Sequence, residues 1–308
     1  MAEKIENVII IGAGPAGLSA ALYAGRANLN PLVLTGATPG GQLALSINVE
    51  NYPGFPEGIN GSELADLFEK SAEKFGARLV YDSVTKVDFS EHPYKVSTYS
   101  EEYQTKALII AIGAVPNKLD VPGEEEFRGK GVSYCATCDG WFFRDKRIAV
   151  VGGGDSALEE GIFLTQYASS VTIIHRRDAL RAGAVLQERA KRNEKINFLW
   201  NTIVAEIKGE DTIKKLILEN TKNGEKFEMD FDGLFIFIGH KPNTEMFEGK
   251  LEMDEDGYLI TDQRFRTKQA GVFAAGEVQD PWYRQVVTSA GMGAAAAMEV
   301  RKFLEIEV

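Results

Sequence analysis

Two cysteines, three positions apart in Cys135-Ala136-Thr137-Cys138-Asp139, make up the whole cysteine content of the chain. That spacing serves either a reversible disulfide or one half of a zinc site. A structural zinc needs four Cys or His ligands, and the three histidines (His92, His175 and His240) all lie far from the pair in sequence. No metal is expected. A pair of inert, buried thiols is the plainer alternative. Two features weigh against it: the carboxyl of Asp139 beside the second cysteine, and the glycine-rich stretch Gly152-Gly153-Gly154-Asp155-Ser156-Ala157, which begins fourteen residues after Cys138. In a Cys-x-x-Cys pair, one thiol ionises at a depressed pKa and the other resolves the mixed disulfide. Asp139 is suited to handing a proton to the departing thiolate. The same side chain is also suited to capping the segment that follows.

The elements around these residues read as nucleotide-binding units. Val8-Ile9-Ile10-Ile11 is an apolar, β-branched run, followed by Gly12-Ala13-Gly14-Pro15-Ala16-Gly17. Leu18–Arg26 is rich in helix formers, and Pro31-Leu32-Val33-Leu34 is a second apolar run. Strand, glycine turn, helix and strand make a β-α-β unit. Gly12, Gly14 and Gly17, with Pro15 and Ala16 between them, permit a tight turn and a close backbone approach to a pyrophosphate. The start of the helix then offers the anion its N–H groups and dipole.

The unit recurs. Ile148-Ala149-Val150-Val151 leads into Gly152, Gly154 and Ala157, then a helical stretch, then the strand Val171-Thr172-Ile173-Ile174. The two fingerprints begin 140 residues apart, and in both copies the second strand runs out 18 residues past the third small residue, at Thr35 and at His175. An NAD site carries an acid at that tip for the ribose 2′-OH, whereas a 2′-phosphate needs cations. The second copy reads His175-Arg176-Arg177-Asp178-Ala179-Leu180-Arg181. It has no acid at the tip, and three guanidinium forks suit a phosphate. The second site is therefore expected to take NADPH.

The first copy ends in Thr35-Gly36, with neither acid nor base. Its dinucleotide is read from elsewhere. Gly40-Gly41-Gln42-Leu43 is too glycine-rich for packing alone, and Gly271-Val272-Phe273-Ala274-Ala275-Gly276-Glu277-Val278 reads as a strand followed by glycine and an acid. That acid is placed to meet the polyol of a flavin. The following segment, Tyr283 to Gly293, contains Arg284, Gln285 and Val286 and reads as a small-residue helix whose start faces a flavin ring.

Composition narrows the class. With 308 residues, 44% of them hydrophobic, the chain has length for two domains. A net charge of −11 argues against nucleic acid, which needs a basic face. No signal peptide and no apolar run of about 18 residues is present, so neither export nor a membrane span is expected. A cytoplasmic location follows, and there a Cys pair is more often catalytic than structural.

Taken together, Cys135–Gly140, Gly152–Ala157, His175–Arg181, Ile238-Gly239-His240-Lys241-Pro242-Asn243 and the Gly276–Gly293 segment resemble the low-molecular-weight bacterial thioredoxin reductases over essentially the whole chain. The resemblance implies an α/β fold of two Rossmann-like nucleotide-binding domains, with the NADPH domain inserted into a discontinuous FAD domain. The expected bounds are residues 1–115 and 243–308 for the FAD domain and 116–242 for the NADPH domain, which carries the disulfide. Gly113-Ala114-Val115-Pro116 and Gly239-His240-Lys241-Pro242 resemble the family's two linkers. The implied FAD site takes Gly12, Gly14, Pro15, Ala16, Gly17, Gly40, Gly41, Gln42, Asn51, Gly113, Gly276, Glu277, Arg284, Gln285 and Val286. The implied NADPH site takes Gly152, Gly154, Asp155, Ser156, Ala157, His175, Arg176, Arg177 and Arg181.

The resemblance further implies electron transfer from NADPH through FAD and the Cys135–Cys138 disulfide to thioredoxin, and a homodimer. A flavoprotein reducing another thioredoxin-like or peroxiredoxin-linked disulfide protein is the alternative. The chain departs from the family pattern twice. Glu277 stands where the family usually has Asp, one methylene shorter. Ala111-Ile112-Gly113 replaces the usual Ala-Thr-Gly, which removes a hydroxyl near the first linker.

Overall fold

A computed structural model describes residues 4–306. The chain divides into two units: residues up to Val115 together with those from Lys241 onward, and Pro116–His240.

In the first unit the apolar run at the start becomes the strand Ile5–Ile11. Its residues feed two cores in alternation, because successive side chains of a strand point to opposite faces. Val8 and Ile10 join a cluster with the helix residues Ala20, Ala24 and Ala297, whereas Ile9 and Ile11 pack with Val87, Tyr94 and Phe247. Each fully buried Ile contributes about 1.5–3 kcal/mol relative to exposure. A sheet covered on both faces needs continuous apolar strands, which is why the run shows no polar alternation.

Five strands of this sheet run parallel, in the order Arg78–Val80, Leu32–Leu34, Ile5–Ile11, Glu102–Ile110 and Val272–Ala274. Glu102–Ile110 is forked. Its C-terminal half pairs with Val272–Ala274, and its N-terminal half pairs antiparallel with Tyr94–Thr98, beyond which lies Val84–Asp88. The helix Pro15–Arg26 meets the helix Val286–Ile306 closely at Gly293, where a Cβ would stand 1.9 Å from the Ala16 carbonyl oxygen.

The second unit repeats the plan. Its parallel strands are ordered Ile196–Trp200, Ser170–His175, Arg147–Val151, Gly233–Ile236 and Val132–Ser133. The helix Asp155–Leu164 and its neighbours cover one face through Ile148, Val150, Leu158 and Ile173. A three-stranded antiparallel sheet, Thr202–Gly209, Ile213–Asn220 and Lys226–Asp230, covers the other through Val204, Leu216 and Leu218.

The two units differ in where the fifth strand comes from. In the first unit, Val272–Ala274 follows the other strands in the chain; in the second, Val132–Ser133 precedes them. The motifs that follow these edge strands are therefore equivalent in position: Gly276-Glu277 in one unit and Cys135–Asp139 in the other. The exits of the fourth strands also correspond, at Gly113 (φ 66°) and Gly239 (φ 103°). In the first unit Asn243 N donates to Gly113 O at 3.1 Å, and in the second Asn117 N donates to Gly239 O at 3.0 Å.

Candidate active site

Cys135 and Cys138 are joined as a disulfide, with their Cα atoms 5.3 Å apart. The short helix Ala136–Asp139 brings them together, and Cys135 caps it: Cys138 N donates to Cys135 Sγ at 3.2 Å. Cys135 is half-buried and Cys138 exposed. Burial pushes the Asp139 carboxyl above its ordinary range, and a hydrogen bond from the Ser133 hydroxyl opposes the rise. The same hydroxyl accepts from Cys135 N at 3.1 Å, and its single proton is shared between Asp139 and Cys135 O, the latter at 3.2 Å. A carboxyl with a raised pKa holds its proton nearer to neutral pH, which suits a donor to a leaving thiolate. Ser133 carries no motif signal of its own. Its role exists only because the edge strand ends two residues before Cys135.

In the same unit Gly152 has φ 156°, and a Cβ there would stand 2.5 Å from Phe237 O. At Gly154 an added Cβ meets nothing within 4 Å, so an open space lies over the start of the helix. Leu158 N makes the first intrahelical bond, to Gly154 O, and the N–H groups of Ser156 and Ala157 stand ahead of it. Such a cradle fits a pyrophosphate. Arg176, Arg177 and Arg181 are exposed, and no ion pair among the described residues engages them. Asp178, the one acid of that turn, pairs with Lys222 at 3.0 Å. The buried His175 ring lies against Gly153 and donates from Nε2 to Ala179 O at 3.0 Å; burial holds its pKa below the ordinary histidine range. Asp155 Oδ1 accepts from Gly183 N at 2.7 Å.

The first unit carries the matching cradle. Gly12 (φ 104°) would place a Cβ 2.4 Å from Ala111 O, and Gly17 would place one 1.9 Å from Gly12 O. Space over Gly14 is open, and Ala16 and Gly17 precede the first intrahelical bond, Leu18 N to Gly14 O. Gly40 N donates to Ala13 O at 3.0 Å, which brings Gly41 beside Gly14 and leaves Gln42 exposed. Gly276 (φ 79°) sits against Ala16. Asn51 Nδ2 donates to Gln285 Oε1 at 3.1 Å, so residues 234 positions apart share one rim just before Val286 opens the last helix. Asp280 fixes the approach to that rim by accepting from Trp282 N at 3.0 Å and Tyr283 N at 3.2 Å. An Asp ahead of a turn is its own signal, although no nucleotide motif includes it. The donors, glycines and open spaces fit two dinucleotides.

Burial pushes the Glu277 carboxyl up to about 7 from 4.5; the Arg284 guanidinium opposes the rise and Asp280 adds to it. The stability linked to this group is complete below pH 4.5 and lost as pH rises through about 7. In flavin-free protein, Tm is expected to fall across that interval, and Glu277→Gln is expected to flatten the fall. An unchanged slope in the variant would remove Glu277 as its source. In the flavin-loaded protein, Glu277→Asp is expected to retain flavin and Glu277→Ala to hold it about tenfold more weakly, the scale of one lost buried hydrogen bond. Full, tight flavin retention in the Ala variant would exclude a role at the flavin.

Two like-built cradles with a disulfide on one of them define a nucleotide-linked disulfide oxidoreductase. The family model for pyridine nucleotide-disulphide oxidoreductases matches residues 6–293. A thioredoxin reductase of Streptomyces coelicolor is 50% identical over 98% of this chain and 95% of its own, and one of Bacillus subtilis is 49% identical over 98% and 96%. The crystal structure of thioredoxin reductase from Streptococcus pyogenes superposes with a TM-score of 0.94 at 44% identity, covering 98% of this chain and 99% of that one. The chain belongs to the pyridine nucleotide-disulphide oxidoreductase family, in its thioredoxin reductase branch.

Proposed function

We propose that the chain reduces the disulfide of thioredoxin with electrons from NADPH, carried by FAD and by Cys135–Cys138. The observation that carries this reading is a closed Cys135–Cys138 disulfide beside Asp139 in the unit that also holds the arginine-rimmed cradle. FAD, when bound, supplies the redox chemistry that links a hydride from NADPH to a disulfide.

The remaining work belongs to the chain's own residues. Gly12–Gly17 and Gly40–Gln42 bind the flavin dinucleotide, with Asn51, Gly113, Gly276, Glu277 and Arg284–Val286 around them. Gly152, Gly154 and Ala157 hold the NADPH pyrophosphate, and Arg176, Arg177 and Arg181 take its 2′-phosphate. Opening the Cys135–Cys138 bond takes up two electrons and two protons, and Asp139 delivers a proton to the sulfur that leaves. The resulting dithiol attacks the partner disulfide, closes again and releases the partner as a dithiol.

No helix among the described residues is long and apolar enough to cross a membrane. A cytoplasmic enzyme working as a homodimer agrees with the composition and the family. The deciding assay is NADPH-driven reduction of thioredoxins from the same organism, expected to exceed NADPH oxidase activity without thioredoxin. Turnover with a peroxiredoxin-linked disulfide protein and none with any thioredoxin would favour the alternative partner.

A further inference from the structure

Arg176, Arg177 and Arg181 lie on a stretch with no regular secondary structure, between the strand Ser170–His175 and the helix Ala184–Arg192. Three like charges on such a turn repel one another, so an ordered turn needs ties. Its first half is held from elsewhere: Arg176 O accepts from Thr221 Oγ1 and Arg177 O from Asn201 N, each at 3.2 Å, and Asp178 pairs with Lys222. Three further ties, toward its Arg181 end, lead to the glycine loop. Gly153 O accepts from Arg181 N at 2.7 Å and from Ala182 N at 3.1 Å. The His175 ring packs against Gly153, where a Cβ would come within 2.3 Å of it, and reaches on to Ala179 O at 3.0 Å. Asp155 Oδ1 accepts from Gly183 N at 2.7 Å, closing the far end of the turn. Asp155 is the acid in the first turn of the helix whose start would meet the pyrophosphate. An acid free to face that anion would oppose it; one engaged by Gly183 is occupied elsewhere.

We propose that Asp155, together with Gly153 and His175, is a positioning residue for the 2′-phosphate: it clamps the arginine turn to the glycine loop and thereby sets the preference for NADPH over NADH. Asp155 acts through the arginines rather than on the nucleotide itself. Binding is strengthened when groups are ordered before the ligand arrives, because their ordering is no longer charged to the binding step. The inference rests on the reading of the arginines as the 2′-phosphate site.

The test uses the full-length protein and two probes that differ only in the 2′-phosphate, adenosine 2′,5′-bisphosphate and 5′-AMP, with Kd measured by calorimetry. Asp155→Ala is expected to lower the bisphosphate-to-monophosphate affinity ratio by about three- to tenfold while leaving 5′-AMP binding intact. Asp155→Asn keeps an Oδ1 acceptor for Gly183 N and is expected to restore most of the ratio. An equal fall for both probes would make Asp155 a determinant of the shared part of the ligand and overturn the clamp, as would an unchanged ratio. Arg177→Ala separates the two readings. If it collapses the ratio while Asp155→Ala does not, the clamp alone fails. If the wild-type ratio is near one, or does not respond to Arg177→Ala, the arginine site fails and the clamp with it.

Discussion

Cys135→Ser and Cys138→Ser are each expected to reduce thioredoxin turnover to background while leaving flavin content and flavin reduction by NADPH intact. The expectation follows from how the chemistry is divided. The dinucleotide cradles are built from glycines, helix starts and arginines, and neither includes a thiol. The disulfide lies after the edge strand Val132–Ser133, on the short helix that Cys135 caps. A serine at either position keeps nearly the same volume and preserves the local packing. It removes the one step the pair performs, because an alkoxide is not available at neutral pH and a single sulfur cannot close the ring. Three measurements check this: bound flavin by absorbance, anaerobic bleaching of the flavin band by NADPH, and steady-state thioredoxin reduction. Wild-type turnover in either variant would end the relay. The variant that traps thioredoxin as a stable mixed disulfide would identify the attacking sulfur.

A second large effect is expected at the arginines. Wild-type kcat/KM should favour NADPH over NADH by tenfold or more, and Arg177→Ala should remove about tenfold of that preference. A charge-assisted hydrogen bond to phosphate is worth about 1.5–3 kcal/mol, or roughly ten- to a hundredfold in affinity. Because Arg176, Arg177 and Arg181 are all exposed, solvent screening pulls the expectation toward the lower end, and the preference should shrink further as salt is raised. Asp178 does not neutralise them from within the turn, since it is paired with Lys222. Equal kcat/KM values for the two nucleotides in the wild type would sink the assignment.

The sequence by itself determined the chemistry and its local supports. The pair Cys135/Cys138, the glycine fingerprints at Gly12 and Gly152, and the arginine turn each lie within a few consecutive residues. Strand-to-helix turns, helix starts and Cys-x-x-Cys spacing are short-range devices, so residue types at fixed offsets reveal them. Even the repeat of the whole unit was legible, because both copies keep the same offset from fingerprint to strand end.

Tertiary structure alone decided what lies between these pieces. Nothing near Val272–Ala274 in the chain says that it pairs with Ile110, or that Val132–Ser133 takes the same edge place in the other unit from the opposite direction in sequence. The antiparallel strands of residues 84–98 and 202–230 likewise owe their places to the faces they cover, and strand pairing depends on neighbours more than on intrinsic preference.

The same holds within the sites. The sequence put Asp155 and His175 at a nucleotide; packing turned Asp155 toward Gly183 and laid His175 over Gly153. Glu277 was visible as an acid after a glycine, but its raised pKa comes from burial, with Asp280 adding to the rise and Arg284 opposing it. Hydrogen-bond direction and desolvation are set by groups far apart in the chain, and only the fold brings those groups together.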